Sequence, residues 1–330
     1  MQKIAFTLCS NNYLAQAKTL GDSLIRHNLD IKFIIGLVDK LDPTIDYSFF
    51  KPHEILPFTN LNFHEFDGMV ERYNIVEFNT AVKPYYIDHF FATYPECIVY
   101  YIDPDIEIFD SFNDLSEIFE KEYDFILTPH LVEPRIERSK FEKLILNVGI
   151  YNLGFIGIKK SLRSQFFVNW WKVRLEFDCK INFTKGLFVD QIWINYLPSF
   201  YDNVFIMRDP GYNMGYWNFT ERTISRSSGR FFVNEKYKLR FFHFSNFNPL
   251  NPTVLCKYLD YSFEARPDLV EIYNKYAASL LSNQYEKLSS VQRLLSFKRN
   301  HPELDKKQNM LEKAFISLRK KLSILLNLLT

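Results

Sequence analysis

Cys97-Ile98-Val99-Tyr100-Tyr101-Ile102 is an unbroken apolar run, rich in β-branched and aromatic residues, that stops at Asp103-Pro104-Asp105. Its length and composition predict a buried strand, because a helix needs a longer run. The surrounding pattern agrees. Residues 4–9 and 31–38 read as strands, the second closed by Asp39. Between them, residues 13–28 carry Leu14, Ala17, Leu20, Leu24 and Ile25 at helical spacing. A helix is predicted over 80–94, strands over 123–128 and 150–158, and a further helix over 162–177. Strands alternating with helices specify an α/β fold, a mostly parallel sheet with helices on its faces. Beyond residue 200 the chain is richer in turns, as at Asp209-Pro210-Gly211, Ser227-Ser228-Gly229 and Asn248-Pro249.

Composition narrows the class. Over 330 residues, 47% hydrophobic and 24% charged is a globular proportion. Aromatic residues make up 17%, which suits a thick core and also sugar-stacking surfaces. A net charge of +1 argues against a nucleic-acid binder steered by a basic face. Cys9, Cys97, Cys179 and Cys256 are scattered without a Cys-x-x-Cys pair. They read as reduced, buried thiols of a cytosolic protein, with neither a disulfide frame nor a zinc site indicated. Met1-Gln2-Lys3 leads into an apolar run too short for a signal peptide, and no stretch is long and apolar enough to span a membrane.

The chain is expected to hold one catalytic domain over 1–280 and a distinct tail over 281–330. Residues 284–330 carry ten Lys or Arg against four Asp or Glu, a net of +6. Leu311, Phe315, Leu318, Leu322, Leu325 and Leu329 recur at steps of four and three, forming one apolar stripe. A basic amphipathic helix is expected there. It suits an anionic membrane surface, which would make the protein peripheral at the inner face of the cytoplasmic membrane. Packing on its own domain or pairing in a homodimer serves the same stripe.

The carboxyl end of a strand is where an open α/β sheet binds ligands. Alternating side-chain direction leaves Asp103 and Asp105 near one another at a turn stiffened by Pro104. Adjacent carboxylates repel unless a cation lies between them, and Mg²⁺ or Mn²⁺ suits oxygen ligands. A plain strand-ending turn uses the same residues. His243, ending a strand-like run from Leu239, completes a mixed oxygen and nitrogen ligand set that Mn²⁺ tolerates, or else serves the core. Asp190 and Gln191 open a helix pattern, where an acid also serves as a cap. Asn152 and Gly154 put an amide and a glycine inside a strand, where glycine permits close approach. Lys83, in a segment nearly free of cations, is placed to meet a phosphate or to lie exposed. Tyr212, Asn213, Trp217 and Asn218 supply rings and amides for a sugar acceptor, or pack a turn-rich subdomain.

In content and in order along the chain, these segments resemble the retaining nucleotide-sugar glycosyltransferases of family 8, over about residues 3–250. The carriers are Asp103 and Asp105 after a Tyr-rich strand, Asn152 and Gly154, Asp190 and Gln191, and the late His243. Asp-Pro-Asp-Ile, Phe-Val-Asp-Gln, Asp-Pro-Gly-Tyr-Asn and His-Phe-Ser, ending at Ile106, Gln191, Asn213 and Ser245, resemble bacterial polysaccharide-cluster glycosyltransferases. The resemblance implies the GT-A (Rossmann-like) fold, with a donor-binding half over about 1–130 and an acceptor and metal-completing half over 131–280. It implies that Asp103, Asp105 and His243 hold a divalent metal (Mn²⁺ or Mg²⁺) on the donor diphosphate. Thr7, Cys9 and Asn11 would cradle the nucleobase and ribose, and Lys83 would touch diphosphate and sugar. The implied activity moves a hexose from a UDP-type sugar to a saccharide or lipid-linked saccharide, with retention, in bacterial surface polysaccharide synthesis. Two positions depart from the family pattern: Asn246 stands where a Gly is usual and Pro249 where a Lys is usual, leaving Arg208 or Arg222 as replacement cations. A non-catalytic sugar or nucleotide binder and an inverting transferase are the alternatives. A nucleotidyltransferase should carry a glycine-rich basic loop after the first strand, and Ser10-Asn11-Asn12-Tyr13 is neither.

Overall fold

The computed structural model describes residues 1–61, 63–134, 136, 140–256 and 261–297. Its centre is a seven-stranded sheet in the order Val204–Ile206, Phe125–Pro129, Tyr151–Lys159, Cys97–Ile102, Gln2–Cys9, Ile31–Leu37, Glu54–Pro57. Tyr151–Lys159 runs antiparallel to both its neighbours, and every other pairing is parallel. The short edge strand Glu54–Pro57 carries no strong pattern in the sequence.

Period-two alternation divides the central strands between two cores. Cys97, Val99 and Tyr101 face one apolar cluster together with Ile4, Phe6 and Leu8. Ile98, Tyr100 and Ile102 face the other, with Ala5, Cys9 and the helix Leu14–His27. Both faces are therefore filled, each buried large side chain contributing about 1.5–3 kcal/mol. All four cysteines are free and buried. A third cluster joins Phe242 and Phe244 to the helix Val270–Ser282 and the small sheet Ile224–Ser227, Arg230–Val233 and Tyr237–Lys238.

The structure corrects several boundaries. The helix expected over 80–94 is two helices, Ile75–Ala81 and Lys83–Thr93. Asn74 and Glu77 form a reciprocal capping box at the start of the first. Pro84 lacks an N–H and cannot continue that helix, so a new one starts at Lys83. The segment after Asp190 is a 3₁₀ turn, Gln191–Tyr196, followed by one α-turn at Leu197–Phe200. The described part of the expected tail, residues 281–297, packs against the rest of the chain. Tyr285–Ser289 is a helix with Leu288 buried, Asn283 Nδ2 donates to Thr19 Oγ1 at 2.9 Å, and Phe297 lies in the first core cluster. The stripe from Leu311 to Leu329 lies outside the described residues. Among the described residues no helix is long and apolar enough to cross a membrane.

Candidate active site

Backbone pairing brings the two carboxylates and the histidine together. Past the central strand, Asp103 N–H donates to Gly154 O at 2.8 Å. Ile106–Ile108 then pairs antiparallel with Phe241–His243, setting His243 opposite Ile106, and Phe244 N–H donates to Asp105 O at 2.8 Å. His243 Nε2 thus lies 2.9 Å from Asp105 Oδ1 and 3.7 Å from Asp103 Oδ2. One ligand atom from each of the three residues lies within 4.8 Å of the others. Gly154 is required by packing: a Cβ there would stand 2.6 Å from His243 Cε1 and Nδ1. Asn246 has φ +62°, the left-handed conformation that glycine supplies freely and asparagine tolerates, so the turn after His243 is kept without glycine.

The electrostatics of this cluster fit a cation. Burial pushes the Asp103 carboxyl up, opposed by His243 and Lys83 and reinforced by Asp105. Burial pulls the His243 imidazole down, but the Asp105 and Asp103 carboxylates outweigh it and leave the net shift upward. Two carboxylate oxygens and the imidazole Nε2 converging on one point are a donor set for Mn²⁺ or Mg²⁺.

A second charged group is sealed on the other side of Tyr101. Lys83 Nζ is 2.5 Å from Asp190 Oδ2, with both side chains 1–2% exposed. Lys83 also donates to Leu153 O at 3.1 Å and sits 3.8 Å over the Tyr101 ring, so it is not the exposed lysine its sequence context also allowed. Burial raises the Asp190 carboxyl, and the Lys83 ammonium offsets part of that. Val189, just before Asp190, holds φ +40°, a strained value for a β-branched residue. Gln191 is tied at both ends, its Oε1 accepting Leu153 N–H and its Nε2 donating to Val148 O, each at 2.9 Å.

Several expected contact residues lie in the interior. Thr7, Cys9 and Asn11 are all buried. Asn11 spends its amide on Asp39 Oδ2 (3.1 Å), Lys40 O (2.9 Å) and the Tyr47 hydroxyl (2.8 Å). Burial and the nearby Asp39 raise the Cys9 thiol far above its ordinary range. The expected acceptor residues are interior as well. The Tyr212 hydroxyl donates to Asp114 (2.6 Å), Asn213 Nδ2 to Thr128 Oγ1 (2.8 Å) and Asn152 Oδ1 (2.9 Å), and Asn218 Nδ2 to Asn213 O (3.1 Å). Trp217 packs edge-on against His243, with ring centroids 5.0 Å apart. Of the four, Trp217 touches His243, and Asn213 is bonded to Asn152 beside Gly154. Arg222 is spent on Glu221, Pro210 O and Tyr212 O and cannot serve as a replacement cation, whereas Arg208 is exposed.

Sequence reasoning missed three participants. His130 Nδ1 donates to Ile150 O at 3.0 Å, so its Nε2 accepts from Asn152 Nδ2 at 3.2 Å, and burial holds its pKa at about 4. The Tyr101 hydroxyl donates to Asp103 Oδ1 at 2.5 Å. Asp39, buried at the end of its strand, accepts backbone N–H bonds from Leu294 and Leu295. The Asp after a strand is visible in the sequence; its distant partner is not.

No protein-family model matches the chain. The Bacillus subtilis (strain 168) protein YfnF, itself uncharacterized, is 28% identical over 246 residues, 73% of this chain and 80% of its own. Among solved structures, the apo bifunctional glycosyltransferase WbbM superposes with a TM-score of 0.50 at 13% identity, covering 87% of this chain and 52% of that one. The galactosyltransferase LgtC, solved with donor and acceptor sugar analogues, gives 0.48 at 15% identity, covering 88% and 97%. At such identity the likeness is one of fold: a mixed, mostly parallel sheet flanked by helices, as in GT-A glycosyltransferases.

Proposed function

We propose that this chain is a metal-dependent glycosyltransferase moving a hexose from a nucleoside-diphosphate sugar, UDP-linked, to a saccharide or lipid-linked saccharide acceptor. The observation that carries the reading is the convergence of Asp103, Asp105 and His243 past the carboxyl end of the central strand, joined through Tyr101 to the sealed Lys83–Asp190 pair. Asp103, Asp105 and His243 would hold a divalent metal, which would supply positive charge against the departing diphosphate. The protein's part is positioning. The Asp-Pro-Asp turn and the His243 strand fix three ligands on a rigid sheet edge, and Trp217 keeps water from the imidazole face. Asp190, oriented by Lys83, is assigned to the donor sugar hydroxyls, with Gln191 lining the far side of the sugar. Attack by Gln191 would require breaking both of its backbone bonds, and an amide is a poor nucleophile. That favours attack by the acceptor hydroxyl from the leaving-group side, with retention.

The test is a donor screen that measures release of nucleoside diphosphate with and without Mn²⁺. Turnover of a UDP-sugar only with metal is expected. Metal-independent turnover would remove the metal from the mechanism, and binding without turnover would make the chain a sugar-nucleotide binder. Proton NMR of the anomeric coupling should show an α product from an α donor; a β product assigns an inverting reaction.

A further inference from the structure

The residues expected to hold the nucleobase are buried, which leaves open what contacts the nucleoside. The C-terminal strap 291–297 stands at that place. Its start is anchored on one face of the sheet, where Val291 packs with the core cluster containing Leu288 and the Leu14–His27 helix. Its end is anchored on the opposite face, where Phe297 is buried against Phe78 with ring centroids 5.6 Å apart. The strap therefore crosses from face to face, and six residues of extended chain reach at most about 20 Å. Its midpoint is pinned to the sheet. Asp39 Oδ1 accepts Leu294 N–H at 3.1 Å and Leu295 N–H at 2.9 Å, and the same carboxylate receives Asn11 Nδ2. The crossing thus lies over the carboxyl ends of the first two strands, Gln2–Cys9 and Ile31–Leu37.

Between the strap and Asn12 lies a hollow of about 680 Å³, within the range of small-molecule sites. Arg293 is the cation among its lining residues, and Asn12, Gln292 and Ser296 supply amides and a hydroxyl. The strand that leads to Asn12 runs beside the strand that leads to Asp103. Phe6 pairs with Tyr101, so Leu8 lies level with Asp103 on the adjacent strand, one strand spacing (about 4.8 Å) away.

We infer that the strap 291–297 is the outer wall of the nucleoside subsite, with Asp39 as its latch and Arg293 meeting the negative charge of a nucleoside diphosphate. This rests on the proposed donor class. The strap contributes directional polar groups where Thr7, Cys9 and Asn11 are sealed, and the Asp39 latch preorganises it. Calorimetry on the full chain with Mn²⁺ tests it, titrating UDP and, separately, uridine. Leu295→Pro removes one latch N–H and should weaken UDP at least tenfold. Arg293→Gln, at an exposed position, should weaken UDP about tenfold and leave uridine unchanged. UDP affinity that stays the same or tightens in both variants overturns the inference, tightening marking the strap as a plug. If the unmodified chain binds UDP and the variants match it, the inference alone fails; if the unmodified chain binds no nucleoside diphosphate, the functional reading fails with it.

Discussion

The Asp103–Asp105–His243 cluster and the Lys83–Asp190 pair are joined through Tyr101, whose hydroxyl donates to Asp103 and whose ring lies under Lys83, yet they solve opposite electrostatic problems. The pair is sealed and balanced, one cation against one anion with further bonds to Leu153 O and the Tyr101 ring. The cluster is partly open, its two carboxylate side chains 29% and 23% exposed, and it carries two acids against one imidazole. A closed pair holds its own charges in balance, whereas an open surplus of negative charge leaves room for a cation. The contrast sets a pre-oriented, neutralised pair against a cluster with charge to spare.

The largest effect expected on that contrast comes from the open side. Asp105→Asn should lower kcat by about a thousandfold, equivalent to about 4 kcal/mol of transition-state stabilisation. Asn keeps an oxygen for His243, so stability without metal should fall by less than about 1 kcal/mol. Activity assays and Mn²⁺ titration read the first part, and urea unfolding the second. Full turnover by this variant in the presence of chelator would end the metal reading.

The sealed side should fail in the other way. Lys83→Met leaves Asp190 buried without its partner, and breaking such a pair costs about 3–5 kcal/mol. The double variant Lys83→Met with Asp190→Leu should recover much of that stability while remaining inactive, because it removes both charges. If Lys83→Met unfolds at the same urea concentration as the unmodified chain, the pair is not the closed unit described.

The open cluster was legible in the sequence and most of the sealed surroundings were not, for a physical reason. Asp-Pro-Asp stands out because two acids interrupt an apolar strand, a local and periodic signal. His243 was found through its apolar run, Asp190 as an acid opening a helix pattern, and Lys83 through the scarcity of other cations around it. That Lys83 and Asp190 touch is a contact across 107 positions of chain, and no local pattern encodes it. The same holds for Asp39 with Leu294 and Leu295, and for His130 with Asn152. The interior bonding of Tyr212, Asn213 and Asn218 was one of two open readings, because polar and aromatic residues in turns look alike whether they face a sugar or satisfy one another in a core. The edge strand Glu54–Pro57 was missed because four residues carry too little periodicity.

His130 sharpens the comparison with a third solution, a sealed polar group kept neutral. Its pKa near 4 lies below the ordinary 6.5, so its contribution is intact above about pH 6.5 and is lost as pH falls toward 4. By pH 5 the loss should be about 2 kcal/mol. Urea midpoints at pH 7 and pH 5 should differ by more in the unmodified chain than in His130→Gln. Equal differences would mean that His130 is protonated without penalty and is not sealed.

The smallest effect tests where the two regions join. Tyr101 belongs to both, its hydroxyl donating to Asp103 and its ring lying under the Lys83 ammonium. Tyr101→Phe keeps the ring, so the cation–π contact and the core packing remain and stability should change by less than about 1 kcal/mol. The Asp103 carboxylate loses a fixed donor and regains water in part, so Mn²⁺ affinity should weaken by about three- to tenfold, or about 0.7–1.4 kcal/mol. Combining Tyr101→Phe with Lys83→Met asks whether the ring carries information between the regions. A coupling energy above about 0.5 kcal/mol in Mn²⁺ binding would make the open cluster and the sealed pair one site. Strict additivity would leave them two neighbours that share only a wall, and the sealed pair would then act on the donor sugar without tuning the metal.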